Sequence, residues 1–117
     1  AAAAGLSTGN FPFWSPGPGG EFPPFLRLAF GDGPHAGTDN DLYHLVQSSD
    51  RTAGPKPAFY QACGTNDFLY DLNIELKEAF EQSSLDYTYA EEPGLHDWAF
   101  WDKTIQDVLR WLPLERV

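Results

Sequence analysis

A chain of 117 residues that is 42% hydrophobic and 15% aromatic carries enough apolar side chain for one packed domain, which excludes wholesale disorder. Its seven Lys and Arg residues stand singly against seventeen Asp and Glu, for a net charge of −10. Without a basic cluster to neutralise phosphate, nucleic-acid binding is excluded too. No run approaches the ~20 apolar residues of a membrane span. The single cysteine, Cys63, permits no internal disulfide, so a cytoplasmic protein is expected. The chain has no methionine and opens on four alanines, which points either to a processed N-terminus or to a piece of something longer. Ala1–Leu6 is too short, and lacks the basic flank, for a signal peptide.

In chain order, Ala1 to Leu6 reads as a short buried strand. From Ser7 to Pro24 the chain is dense in Gly and Pro, with Phe11, Phe13, Trp14 and Phe22 between them. Prolines at this density forbid a continuous helix or a central strand. So many aromatics suit a loop that packs over a core or lines a pocket rather than a free linker. Phe25 to Phe30 forms a helical turn closed by Gly31-Asp32-Gly33-Pro34. Thr38 or Asp39 is the expected N-cap of the next helix, with Leu42, Leu45 and Val46 on one face and an end near Asp50. Ala58 to Cys63 reads as a strand ending at Gly64. Leu69, Leu72, Leu76 and Phe80 recur at helical spacing through Gln82. Leu85 to Ala90 alternates as a strand does. Asp97 opens the last helix, with Trp98, Trp101, Ile105, Val108 and Leu112 as its expected apolar stripe before Pro113. Strands alternating with helices mean a mostly parallel sheet flanked by helices, an α/β fold with no internal repeat.

Open parallel sheets place chemistry in the loops at the carboxyl ends of their strands. Two such loops carry reactive side chains: Cys63-Gly64-Thr65-Asn66-Asp67 and Pro93-Gly94-Leu95-His96-Asp97. An acid at one strand end and a histidine at the next can meet, and a basic imidazole needs a carboxylate to fix its tautomer and stabilise its cation. The competing reading is structural: Asp67 precedes a helix, where aspartate is a common cap, and His96 would then be a solvated loop residue.

The run Cys63-Gly64-Thr65-Asn66-Asp67-Phe68-Leu69-Tyr70, followed by Pro93-Gly94-Leu95-His96-Asp97-Trp98-Ala99-Phe100-Trp101-Asp102, resembles the C-terminal half of the tributyrin esterase family. These are α/β-hydrolase carboxylesterases related to esterase D, S-formylglutathione hydrolases and feruloyl esterases. Gly37-Thr38-Asp39-Asn40-Asp41-Leu42-Tyr43 resembles the variable region after the family's sixth core strand, and Ala1–Ser7 resembles that strand. The resemblance implies that Asp67 is the acid and His96 the base of a catalytic triad; Trp98 and Trp101 match the motif too, and read as core packing of the last helix. It implies small acyl esters as substrates, and it implies that residues 1–117 are the later part of one catalytic domain. An N-terminal half would then supply the nucleophilic serine and the oxyanion-hole amides.

Gly5-Leu6-Ser7-Thr8-Gly9 matches G-x-S-x-G literally, but an elbow serine must start a helix, and Phe11-Pro12-Phe13-Trp14-Ser15-Pro16 cannot be one. Ser7 therefore reads as a decoy, with no nucleophile expected in this chain. Cys63 lies only four residues before Asp67 and reads as a buried structural thiol. His35 and His44, near Asp32, Asp39 and Asp41, have no spacing typical of zinc, so neither metal nor cofactor is expected. Phe11 to Phe25, Leu42, Tyr43 and Leu95 are candidates for the acyl-pocket wall. The alternatives are a thioesterase, acyltransferase or carbohydrate esterase with the same acid and base, or a non-catalytic fragment or binding module. An upstream G-x-S-x-G followed by a helix would separate the enzymes from the last of these.

Overall fold

The computed structural model describes residues 1–14 and 21–115. Within them the chain forms β1 (Ala2–Leu6), α1 (Pro24–Phe30), α2 (Leu42–Arg51), β2 (Ala58–Gly64), α3 (Tyr70–Glu81), β3 (Tyr87–Glu92) and α4 (Trp98–Trp111). A single 3-10 turn, Phe11–Phe13, is the regular structure of the aromatic loop, whose residues 15–20 lie outside the described residues. The three strands are parallel in the order β1-β2-β3, with Ala2 opposite Ala58 and Phe59 opposite Tyr87. The expected α/β architecture is therefore present.

β2 is central, and Tyr60 through Gly64 are all buried, as both faces of a parallel sheet must be covered. Alternation along β2 divides its side chains between two cores. On one face Phe59 meets Phe80 of α3 at 5.1 Å, within a cluster of Val46, Leu76, Phe80 and Leu85. On the other, Tyr60 meets Trp111 of α4 at 5.3 Å, and Tyr60 and Ala62 cluster with Phe100 and Val108. A polar clamp fixes α3 over the sheet. Gln61 Nε2 donates to Asn73 Oδ1 at 2.9 Å and to its carbonyl at 3.0 Å, while Tyr87 Oη donates to Gln61 Oε1 at 2.6 Å. Because these buried groups satisfy one another, they set the register of helix on sheet without a desolvation penalty.

Four local expectations are corrected. β1 forms as expected but is not buried: Ala3 and Ala4 are exposed, because β1 stands at the edge of the sheet. The N-cap of α2 is Asp41, whose carboxylate accepts the Tyr43 amide at 3.0 Å, rather than Thr38 or Asp39. Asp41 wins because the buried Asn10 holds it: Asn10 Nδ2 donates to Asp41 Oδ1 at 2.9 Å, and Asn10 Oδ1 accepts the Leu42 amide at 3.1 Å. β3 starts at Tyr87, not Leu85, and runs on to Glu92; Leu85 is buried by the α2–α3 core from the loop before the strand. In α4, Trp98 is 79% and Ile105 40% exposed, while Phe100, Thr104 and Val108 are buried. Apolar residues cover about half of that helix, from Phe100 and Trp111 round to Trp98 and Leu109, and the sheet covers only one side of that arc. Thr104 joins the inward side by donating its hydroxyl to the Phe100 carbonyl at 2.7 Å.

Candidate active site

The two strand-end loops lie side by side because the β2–β3 ladder continues past the strands. Thr65 N donates to Glu92 O, and Asn66 N to Gly94 O, each at 3.0 Å. Two glycines make this approach possible. A Cβ at Gly64 would collide with the Gly94 carbonyl, and one at Gly94 would lie 2.7 Å from Phe100 Cδ2. Motif glycines are therefore the sequence signal for this packing, one that side-chain chemistry alone does not carry.

Asp67 and His96 meet where the loops touch. His96 Nδ1 lies 3.0 Å from Asp67 Oδ2. The Asp67 side chain is fully buried, and that of His96 is 30% exposed. The other carboxylate oxygen, Oδ1, accepts the Leu69 amide at 2.8 Å, and the Asp67 amide donates to the Gly64 carbonyl at 3.1 Å. One oxygen thus anchors the carboxylate to its own turn and leaves the second aimed at the imidazole. Asp67 is not the cap of α3, which begins after Leu69. His96 stands immediately before Asp97, which caps α4 by accepting the Phe100 amide at 3.0 Å. Asp67 is thus held by its own turn and His96 by the capped start of α4, and the imidazole keeps Nε2 for other work.

Aromatic rings surround the histidine. Phe68 and Trp101 pack T-shaped against the imidazole, with centroids at 4.9 and 4.8 Å. Trp14 reaches Phe68 at 6.3 Å, and Trp98 meets Trp101 at 5.3 Å. Trp98 is therefore a surface ring of the site rather than core packing. Phe68 and Leu95 are also exposed, which gives the imidazole an apolar border. Of the candidate pocket residues, Phe13 lies tilted against Tyr43 at 5.9 Å and Leu95 adjoins His96. Leu42 instead lines an apolar cavity of about 320 Å³ beside β1, with Leu45, Phe59 and Phe80 among its walls. Neither Asp67 nor His96 borders that cavity, so this cavity and the Asp67–His96 pair are separate features.

The other sequence candidates fall elsewhere. Ser7 is buried, and its Oγ accepts the Trp101 indole N–H at 2.9 Å. Cys63 is fully buried; burial first, then the nearby Asp67 and Glu91 charges, push its thiol up to about 12, so it stays protonated at neutral pH. Its Sγ–H points to the Gly64 carbonyl at 3.5 Å. His35 packs against Phe22 and Phe30, and His44 pairs with Ser48 Oγ at 3.3 Å. Among the described residues no group of three His, Cys, Asp or Glu converges as metal ligands, and no helix is long and apolar enough to cross a membrane.

A parallel sheet flanked by helices, with acid and histidine at the ends of neighbouring strands, defines an α/β-hydrolase. Comparison with known proteins narrows that class. The chain is 36% identical over 89 residues to an acetyl esterase of Caldicellulosiruptor saccharolyticus, an alignment covering 75% of this chain and 34% of that protein. It is similar in structure to substrate-bound FphF, a fluorophosphonate-binding serine hydrolase of Staphylococcus aureus. The TM-score is 0.75 at 25% identity, over 95% of this chain and 44% of FphF. It also matches FrmB, an S-formylglutathione hydrolase of the same organism, with a TM-score of 0.62 at 28% identity, over 74% of this chain and 33% of FrmB. No protein-family model matches the chain. The chain belongs to the esterase-type α/β-hydrolases, and it spans less than half the length of each of these relatives.

Proposed function

We propose that these 117 residues are the later part of the catalytic domain of a serine carboxylesterase acting on small acyl esters, with Asp67 as triad acid and His96 as triad base. The observation that carries this reading is the 3.0 Å pairing of His96 Nδ1 with a buried carboxylate across two strand-end loops. The acetyl and formyl groups in the relatives' names support the choice of small acyl substrates. The nucleophilic serine comes from the preceding part of the domain, packed against β1, whose Ala3 and Ala4 are exposed beside the apolar cavity. The lone buried Cys63 suits a reducing, cytoplasmic setting.

In the reaction, that serine hydroxyl attacks the ester carbonyl while His96 Nε2 takes its proton. The imidazolium so formed is stabilised through Nδ1–H by Asp67, whose burial keeps water from competing for the carboxylate. His96 returns the proton to the departing alkoxide, which leaves as the alcohol and yields an acyl-enzyme. A water then repeats the sequence: it gives a proton to Nε2, attacks the acyl carbon and releases the acid as the serine is reprotonated.

The test uses p-nitrophenyl butyrate with the isolated chain and with the full-length enzyme that contains it. The expected result is no turnover above buffer by the isolated chain, and turnover by the full enzyme that His96→Ala removes. Turnover by the isolated chain that vanishes in Ser7→Ala would instead make Ser7 the nucleophile.

A further inference from the structure

Ser7 is a buried hydroxyl that the proposed chemistry leaves unused. It closes β1 at φ 52°, the one non-glycine residue with positive φ among the described residues. L side chains rarely adopt this conformation, which persists only where surrounding structure imposes it. Here two contacts impose it. The Ser7 amide donates to the Ala62 carbonyl at 2.8 Å, which fixes the backbone to β2, and Oγ accepts Trp101 Nε1–H at 2.9 Å. Trp101 sits in the first turn of α4, and its ring stands T-shaped against the His96 imidazole at 4.8 Å. The indole N–H is that ring's only donor, so the Ser7 acceptor selects the ring orientation that reaches the imidazole.

Resting on the reading of His96 as the base, we infer that Ser7 is a positioning residue: through Trp101 it holds the imidazole with Nδ1 on Asp67 and Nε2 turned toward the reacting groups. The G-x-S-x-G match at Gly5–Gly9 thus has a role, though not that of an elbow. Loss of the Ser7 hydroxyl frees the indole, and the imidazole then samples orientations that lose Asp67. kcat falls while KM, set by substrate contacts elsewhere, stays nearly constant.

The experiment is a double-variant cycle in the full-length enzyme with p-nitrophenyl butyrate, using Ser7→Ala, Trp101→Phe and both together, with His96→Ala as reference. Each single variant is expected to lower kcat roughly tenfold, the scale of one lost hydrogen bond. Both should leave KM within about twofold and move the acid limb of the kcat/KM–pH profile in the same direction. The double variant should fall no further than either single one. A merely structural Ser7 would lower Tm without moving that limb. Wild-type kcat with an unmoved limb in Ser7→Ala overturns the inference, as do losses that multiply in the double variant. If Ser7→Ala does not fold, an unmoved limb in Trp101→Phe overturns it alone. Full activity in His96→Ala fails the triad reading instead, whatever the Ser7 arm shows.

Discussion

Two aspartates, Asp41 and Asp67, are buried to nearly the same degree, each just ahead of a helix. What surrounds them differs. Asp41 is saturated by neutral donors: Asn10 Nδ2 and the Gly37 and Tyr43 amides, all within 3.0 Å. Asp67 gives one oxygen to the Leu69 amide and the other to a part-exposed imidazole. Neither burial nor position before a helix separates a capping carboxylate from a catalytic one. The titratable partner does. Asp41 fastens the aromatic loop to α2, whereas Asp67 keeps one oxygen on the His96 imidazole, which is the contact that the proposed triad uses.

The largest expected effect falls on that imidazole. In the full-length enzyme, His96→Ala should lower kcat for p-nitrophenyl butyrate by about 10³- to 10⁴-fold or more with an unchanged circular dichroism spectrum. Gly64→Ala comes next, because its Cβ must push the Gly94 carbonyl and with it the His96 loop. A displacement on the order of 1 Å costs roughly 10²-fold in kcat, and a Gly64→Ala enzyme with wild-type kcat would show that the loops do not depend on this approach.

The Asp41 side of the comparison is a stability effect. Asp41→Asn leaves the Gly37 amide facing an NH₂ group, and chemical denaturation should report a loss of about 1–3 kcal/mol with kcat within a few-fold of wild type. Its pH dependence has a definite sign. Burial alone would raise the Asp41 carboxyl, but hydrogen bonds from Gly37, Asn10, His44 and Tyr43 outweigh it and hold it below the usual 3.8. A carboxyl lowered in the folded state contributes stability in full above its unfolded pKa and loses it as pH falls through the folded one. Wild-type stability should thus drop more steeply below about pH 4 than that of Asp41→Asn; parallel curves would remove Asp41 from the acid limb. The smallest effect is at Cys63, whose thiol stays protonated at neutral pH. Cys63→Ala should keep kcat within about threefold, and iodoacetamide should not label the native thiol at pH 8.

The elements that the sequence made legible are those where periodicity and chemistry agree. β2 stood out as an apolar run, interrupted at Gln61 and ending in glycine, and α3 through Leu69, Leu72, Leu76 and Phe80, of which Leu72 is half-buried and the others buried, Leu69 from the position just before the helix. Asp67 and His96 were readable as candidates because strand-end loops carried them. Long-range contacts were not readable. Asn10, thirty-one residues from Asp41, decided which of several acidic residues caps α2, and nothing local marks that choice. α4 offered an apolar side wider than the sheet covers, and only the position of the sheet selects Phe100 and Val108 over Trp98 and Ile105. The Ser7–Trp101 bond spans ninety-four residues and is invisible to any motif.

The central claim is that Asp67 acts through His96 while Asp41 acts on the fold alone. The most direct measurement is kcat for p-nitrophenyl butyrate in Asp67→Asn beside Asp41→Asn, both in the full-length enzyme. The expected result is a fall of about 10³- to 10⁴-fold in the first, since an amide neither fixes the imidazole tautomer nor stabilises its cation, and a change within a few-fold in the second. Near-wild-type turnover in Asp67→Asn, or an equal loss in the two, would contradict it.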